Sequence, residues 1–351
     1  MRKVGIPVCV LLLAIATSAF SGPKTDVVVL KNGDRLTCDI KGLSSGVLHI
    51  SLDYALGTIS VEWSQVVRME SSRTFIFTTE DGSVHQGTLT TESPIPSGPM
   101  TIKIVDANQT VELEQSRVIA MEPTAEDFWR RFSGTISSGL AYSKGNQATQ
   151  YNFSSDTEYL RQRWLARMSL NSNLASSSGD TTSTRNQLRL SGRHLLPKPH
   201  YFYGGVLSFL QSSEQGIRLQ SSIGGGIGRF LKNTNSASIS VIAGLGFQRT
   251  KYNQSIFPLA PQDVSSALIS VDLNFFRFDK TNLSVVTDIF PALSDPGRVY
   301  VTTNASYFVK LFGKLSWNVS SYANVDTRPP SQFSGSDYGT TSGLSLSFGN
   351  R

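Results

Sequence analysis

The chain has 351 residues, a formal charge of +6 and only 17% charged positions, so it is long enough for two or three domains and only mildly basic. Arg2 and Lys3 supply part of that charge, and for an exported chain the remainder excludes nucleic acid as partner while permitting weak attraction to anionic lipid or polysaccharide. No run approaches the about 18 apolar residues that a spanning helix needs, and the apolar residues are scattered in alternation instead of gathered as in a large water-soluble core.

Residues 1–21 read as a secretory signal peptide. Met1-Arg2-Lys3 is the positive region, Ile6 to Ala16 the apolar core, and Ala19-Phe20-Ser21 a small-x-small cleavage site. Cys9 would leave with the signal. Cys38 would then stand alone, so no internal disulfide is expected.

From Thr25 to Glu122 the sequence carries a weak internal duplication. Val27 to Asp34 opens one copy and Phe75 to Ser83 the other; Val66-Val67-Arg68-Met69-Glu70 and Val118-Ile119-Ala120-Met121-Glu122 close them. Asn32-Gly33 and Asp81-Gly82 predict hairpin turns, because glycine accepts the positive φ of a tight turn. Two small β-barrel-like units are expected, over 25–72 and 73–122, in general shape similar to tandem Sm-like or SH3-like barrels. Such units bind many things, so two roles stay open: docking to a periplasmic protein, peptidoglycan or the rest of the chain, or a structural spacer or plug.

Residues 123–132 form a polar link followed by Phe128-Trp129-Arg130-Arg131-Phe132. Aromatic rings beside cations suit a bilayer surface, so Trp129, Phe132, Trp164 and Trp317 are assigned to an interfacial girdle. Ordinary core aromatics at a domain junction are the alternative.

The stretch 133–351 predicts about 12 antiparallel strands: 133–143, 149–160, 163–175, 184–195, 201–211, 217–231, 236–248, 265–278, 282–291, 298–311, 314–325 and 340–349. In each, apolar and polar residues alternate. Ala237, Ile239, Val241, Ala243, Leu245 and Phe247 share one face against Ser238, Ser240, Gly244 and Gly246. Trp164, Ala166, Met168, Leu170 and Leu174 alternate with Arg163, Arg167, Ser169, Asn171 and Asn173, and Leu315, Trp317, Val319, Ala323 and Val325 repeat the arrangement. Connections after even strands are brief and those after odd strands include the long ones, the split of periplasmic turns and extracellular loops. The fold class expected is therefore all-β: a transmembrane antiparallel β-barrel of about 12 strands in the bacterial outer membrane, preceded by two small β-barrel-like periplasmic units.

On that assignment Arg163, Arg167, Arg189, Arg193 and Arg218 face Asp156, Glu158, Asp272 and Asp288 inside the lumen. Arginine rings favour anionic solutes, so a selectivity ladder is one reading; internal salt bridges holding the wall together are the other and the favoured one. No enzyme, metal or cofactor is expected. His49 and His85 belong to the N-terminal units, His194 to the lipid side of a strand and His200 to a turn, with no nucleophile and orienting group beside them. The run Gly224 to Gly228 lies within a strand, with no helix to receive phosphate, so close wall packing accounts for it better than a nucleotide loop.

The run Phe132-Ser133-Gly134-Thr135-Ile136-Ser137-Ser138-Gly139-Leu140-Ala141-Tyr142-Ser143-Lys144-Gly145-Asn146 resembles the opening strand and Gly-Asn turn of the YdiY-like salt-induced outer-membrane proteins, otherwise a domain of unknown function. The likeness continues through Arg189 to Arg193 and Gly224 to Arg229, covers the C-terminal part and leaves out the N-terminal pair. It implies an outer-membrane barrel without established chemistry or substrate. Such barrels commonly end on an aromatic that assists assembly; the last aromatic here is Phe348. The function expected is non-enzymatic: a narrow pore or an envelope-stabilising protein linked to osmotic conditions, in contact with outer-membrane lipid, with 25–122 as interaction module. A barrel-bound hydrolase of envelope lipid or peptide, or a tether without transport, are the alternatives.

Overall fold

A computed structural model describes residues 25–349 apart from 56, 93–99, 107–108, 125–130, 144–147, 162, 177–182, 254–259 and 278–279. The expected signal peptide, Cys9 and Trp129 lie outside the described residues.

The N-terminal part contains β1 (Asp26–Leu30), β2 (Arg35–Ser44), β3 (Val47–Ser51), β4 (Ile59–Glu62), β5 (Val66–Thr79), β6 (Val84–Glu92), β7 (Thr101–Asp106), β8 (Gln109–Glu114) and β9 (Val118–Pro123). Its duplication is visible in the register itself. β1 pairs Val28 with Met69, Val27 with Glu70 and Val29 with Arg68; the second half of β5 pairs Phe77 with Met121, Ile76 with Glu122 and Thr78 with Ala120. Both ladders break at equivalent places, Val29/Leu30 and Thr78/Thr79. Both copies also enter their last strand through a short 3-10 turn, Trp63–Gln65 and Gln115–Arg117. Gly33 (φ 90°) and Gly82 (φ 85°) sit at the expected turns, in a backbone region that costs other residues steric strain.

β5 serves both copies, with its register shifting between Ser71 and Thr74, and all nine strands belong to one sheet. The copies also clasp each other. β9 of the second pairs Met121 with Leu43 of the first, while Thr91 of the second exchanges hydrogen bonds with the Met69 backbone of the first, at 2.8 and 2.9 Å. Val28, Ile40, Leu48, Met69, Phe77, Ile102 and Met121 bury themselves in one shared core that includes Cys38. A unit of about 50 residues buries too little surface to be robust alone, so one joint core is the stable arrangement.

The second part is β10 (Phe132–Ser143), β11 (Ala148–Arg161), β12 (Trp164–Ser176), β13 (Ser183–Leu195), β14 (Tyr201–Ser212), β15 (Ile217–Asn233), β16 (Ala237–Tyr252), β17 (Gln262–Arg277), β18 (Thr281–Pro291), β19 (Val299–Phe312), β20 (Leu315–Asp326) and β21 (Ser336–Phe348). These twelve strands form a closed antiparallel barrel, β21 returning to β10 with Phe348 opposite Gly134 and Leu346 opposite Ile136. Closure leaves no sheet edge and satisfies the backbone between strands, the condition for a β structure to cross hydrocarbon. Eleven of the twelve expected strands begin within three residues of the observed start. The twelfth starts at Ser336 instead of 340, and β16 runs on to Tyr252 instead of 248, because Asp337 still pairs with Asn324 and Tyr252 with Ile217.

The outer wall is apolar. Leu140, Tyr151, Phe153, Ile223, Ile227, Leu245 and Leu344 all project outward and exposed, Leu245 at 68%. On β12 the outward face runs from Trp164 to Leu174, ten steps that at about 3.4 Å each and a tilt of about 40° cover roughly 26 Å, near the height of an outer-membrane apolar band.

Candidate functional site

The lumen is the candidate site, and β13 dominates it. Arg185, Arg189 and Arg193 lie four residues apart on its inner face, and each reaches across the barrel. Arg189 forks onto Asp288, Nε to Oδ2 at 2.7 Å and Nη2 to Oδ1 at 2.9 Å, while Ser270 donates to the same carboxylate at 2.6 Å. β13 and β18 are five steps apart in a ring of twelve, so this bridge spans nearly the full width. Arg193 and Arg167 converge on Asp272 of β17, Arg167 at 3.2 Å, and Arg167 also donates to Glu158 at 2.8 Å. Asp156 accepts from Ser169 at 2.6 Å. The expected lumen charges Arg167, Arg189, Arg193, Asp156, Glu158, Asp272 and Asp288 are thus brought together: Arg189 with Asp288 and Arg193 and Arg167 with Asp272 as salt bridges from wall to wall, Arg167 with Glu158 between neighbouring strands, and Asp156 through its bond from Ser169.

Two expected members stand apart from these bridges. Arg163 occupies the turn between β11 and β12, exposed at the barrel mouth where it lines the entrance of the lumen cavity, because the chain reverses there before the inward alternation of β12 begins. Arg218 is exposed on the outer side of β15. A bulge between Ile217 and Leu219 sets two successive residues, Arg218 and Leu219, on the outer side, so counting by twos put Arg218 on the wrong face.

Arg185 was missed, although its separation of four from Arg189 gives it the same face. It is buried 3.9 Å over the Tyr322 ring and 3.8 Å from Asp337, which also accepts from Ser212 at 2.6 Å. Nor is the lumen uniformly polar. Phe202, Ile242, Leu268 and Phe290 turn inward and form a buried cluster across β14 to β18. They fill the space left by glycines: a Cβ on Gly228 would strike the Phe202 ring, one on Gly204 the Ile242 side chain and one on Gly224 Leu268 at 2.9 Å. Close packing is therefore the purpose of the glycine run, and Ile242 breaks the alternation of β16 because Gly204 faces it.

Both ends carry covers. At the end with the longer connections, Phe333 of the β20–β21 loop packs with Leu210, Ile217 and Tyr252, its ring stacked on Tyr252 at 5.6 Å. Arg298 anchors the neighbouring loop by a fork onto Asp326, at 3.0 and 2.7 Å. At the end with the short turns, the tandem unit docks on the barrel through backbone groups. The His200 amide donates to the Asp81 carbonyl at 2.6 Å, Asn233 Nδ2 to Glu80 at 3.2 Å and Asn235 Nδ2 to Val118 at 2.9 Å. The Asp81 turn is stiffened from within: burial raises its carboxyl, but bonds from the Thr79 hydroxyl and Ser83 and the charge of Arg117 outweigh this and hold it below the ordinary carboxylate value. A cavity of about 930 Å³ runs from the tandem unit, at His49 and Ser45, into the lumen as far as Arg185.

The expected girdle residues within reach lie at the short-turn end. Phe132 meets Tyr159 at 5.0 Å, Trp164 meets His194 at 4.4 Å, and Trp317 donates from Nε1 to Ser342 at 2.9 Å. His194 is therefore part of an outer aromatic band and His200 of the docking turn.

Comparison with curated proteins finds no match. Among solved structures, the translocator domain of the autotransporter NalP from Neisseria meningitidis is 11% identical with a TM-score of 0.35, over 61% of this chain and 87% of that one. CdiB from Acinetobacter baumannii is 9% identical with a TM-score of 0.31, over 65% and 61%, and a porin is 9% identical with a TM-score of 0.27, over 78% and 98%. The strand pairing, not these likenesses, defines the fold. A family model described as a protein of unknown function, DUF481, matches residues 136–348, well over half of the chain and nearly the whole barrel, and the chain belongs to that family.

Proposed function

We propose that the protein is a non-enzymatic outer-membrane barrel held shut along its axis, which stabilises the envelope and presents its tandem unit on the periplasmic side. The observation that carries this reading is the Arg189–Asp288 fork across the lumen, flanked by Arg193 and Arg167 on Asp272. A passage built for flow would leave its charges facing water; here they are spent on each other. The apolar belt supports the membrane address, and the short turns under the tandem unit support a periplasmic position for it. Residues 25–122 then remain available to a periplasmic protein or to peptidoglycan. The placement of His194 against Trp164 and of His200 in a docking turn supports the non-enzymatic reading over a hydrolase.

Planar-bilayer recording tests this. The wild-type protein is expected to give a closed trace, and the Arg189→Ser/Asp288→Ser double variant a measurable conductance. Steady conductance from the wild type would sink the closed-barrel reading. One observation favours a second reading, a gated narrow passage: the cavity already reaches from the tandem unit past Arg193 and Arg189 to Arg185, so undocking that unit would leave the Arg185–Tyr322 contact and the Phe333 loop at the far end as the remaining barrier. The salt-linked role that the family resemblance implies is checked by growth of a deletion strain in high salt.

A further inference from the structure

The bulge that turns Arg218 outward gives it neighbours. On the outer face of β16 the residues follow in the order Ala243, Leu245, Phe247, Arg249, Lys251, all exposed, so the face changes from apolar to basic near its upper end. On β15 the outward order is Ile227, Ile223, Leu219 and then Arg218. The two strands are in register, with Lys251 opposite Leu219 and Arg249 opposite Ser221, and directly opposed side chains have Cβ atoms about 5 Å apart. Three cations therefore stand together on one side of the barrel, immediately above Phe247 and Ile223. Asp263 approaches Arg249 at 3.5 Å with both side chains half exposed, which leaves the cluster with an excess of positive charge. At the same height elsewhere on the outer wall, Tyr151, Leu174, Val325 and Tyr338 are exposed and uncharged.

We infer that Arg218, Arg249 and Lys251 form a binding site for the phosphorylated headgroup of an outer-leaflet glycolipid. The inference rests on the outer-membrane reading, which sets this rim at headgroup height on the extracellular side. Arginine forks match phosphate oxygens, lysine adds a point charge, and acyl chains of the same lipid lie along Phe247, Ile223 and Leu245. A regular strand would have put Arg218 in the lumen. The bulge spends one residue of pairing to bring it to the lipid side, the kind of re-aiming that rim bulges perform. The site is confined to β15 and β16, so it orders lipid on one flank of the barrel only.

The test uses the full-length protein in detergent with three probes: a diphosphorylated glucosamine lipid, its dephosphorylated form and inorganic phosphate. The wild type is expected to bind the diphosphorylated lipid at least tenfold more tightly than the dephosphorylated one. The triple variant Arg218→Gln/Arg249→Gln/Lys251→Gln is expected to lose that preference, while Arg229→Gln/Lys232→Gln at the opposite end keeps it. A heat-dependent gel shift confirms that each variant has folded. Undiminished binding by the triple variant, equal binding of the dephosphorylated lipid, or equally tight binding of inorganic phosphate would overturn the site. Insertion into neutral phosphatidylcholine vesicles separates the premises: failure to insert sinks the membrane reading, whereas insertion without phosphate preference sinks the lipid site alone.

Discussion

Leu245 has most of its surface exposed at the middle of β16, a position that would be unfavourable in water and is favourable in hydrocarbon. Replacing it separates the two solvents. In lipid, Leu245→Arg is expected to destabilise the barrel by about 2–4 kcal/mol, measured by urea unfolding in vesicles, because a midplane cation is costly there. A barrel standing in water would be indifferent to the change, and a loss under about 0.5 kcal/mol would count against the membrane reading. Arg189 illustrates the opposite face. It is buried with Asp288, and a single Arg189→Ser change leaves that carboxylate without its charge partner, which is why the double variant is the better probe of conductance.

Among the elements, β15 is the most informative strand. Its inner face carries Gly224, Gly226 and Gly228, and the space above Gly228 is already filled by Phe202. Gly228→Val is expected to overpack this contact and cost about 1–3 kcal/mol, read as a lower temperature for the heat-dependent gel shift; an unchanged transition would mean that the apolar cluster yields freely. The same strand shows where alternation is readable and where it fails. Along its regular part the inward and outward residues follow period two. At the bulge between Ile217 and Leu219 the count slips by one, and no local composition announces it. β13 is the converse: Arg185, Arg189 and Arg193 share one face by arithmetic alone, yet their partners lie on β17, β18 and β21, 79 to 152 residues away (272 − 193; 337 − 185).

For the molecule as a whole, the contact between tandem unit and barrel sets how the lumen is covered. It depends on the Asp81 turn, whose carboxylate is held below its ordinary value, so its contribution is present above the unfolded pKa of about 3.9 and is lost as pH falls through the lower folded value. Acidification below about pH 4 is therefore expected to loosen the turn and expose the His200 segment to protease. Asp81→Asn should show that exposure already at neutral pH. Equal protease resistance of wild type and variant across pH 3 to 7 would remove Asp81 from the docking contact.

The sequence by itself determined the barrel: the strand number, the alternation and the split between short and long connections all follow from side chains that alternate between lipid and lumen, a constraint local to each strand. It also held the duplication near the N-terminus, down to the two glycine turns. Only the tertiary structure decided which charges meet across the lumen, that the two copies share one core through β5, that one half of the lumen is filled by apolar side chains over glycines, and that Arg218 faces outward. These are matters of distance between strands far apart in sequence and of a single slipped residue, and periodicity within one strand carries neither.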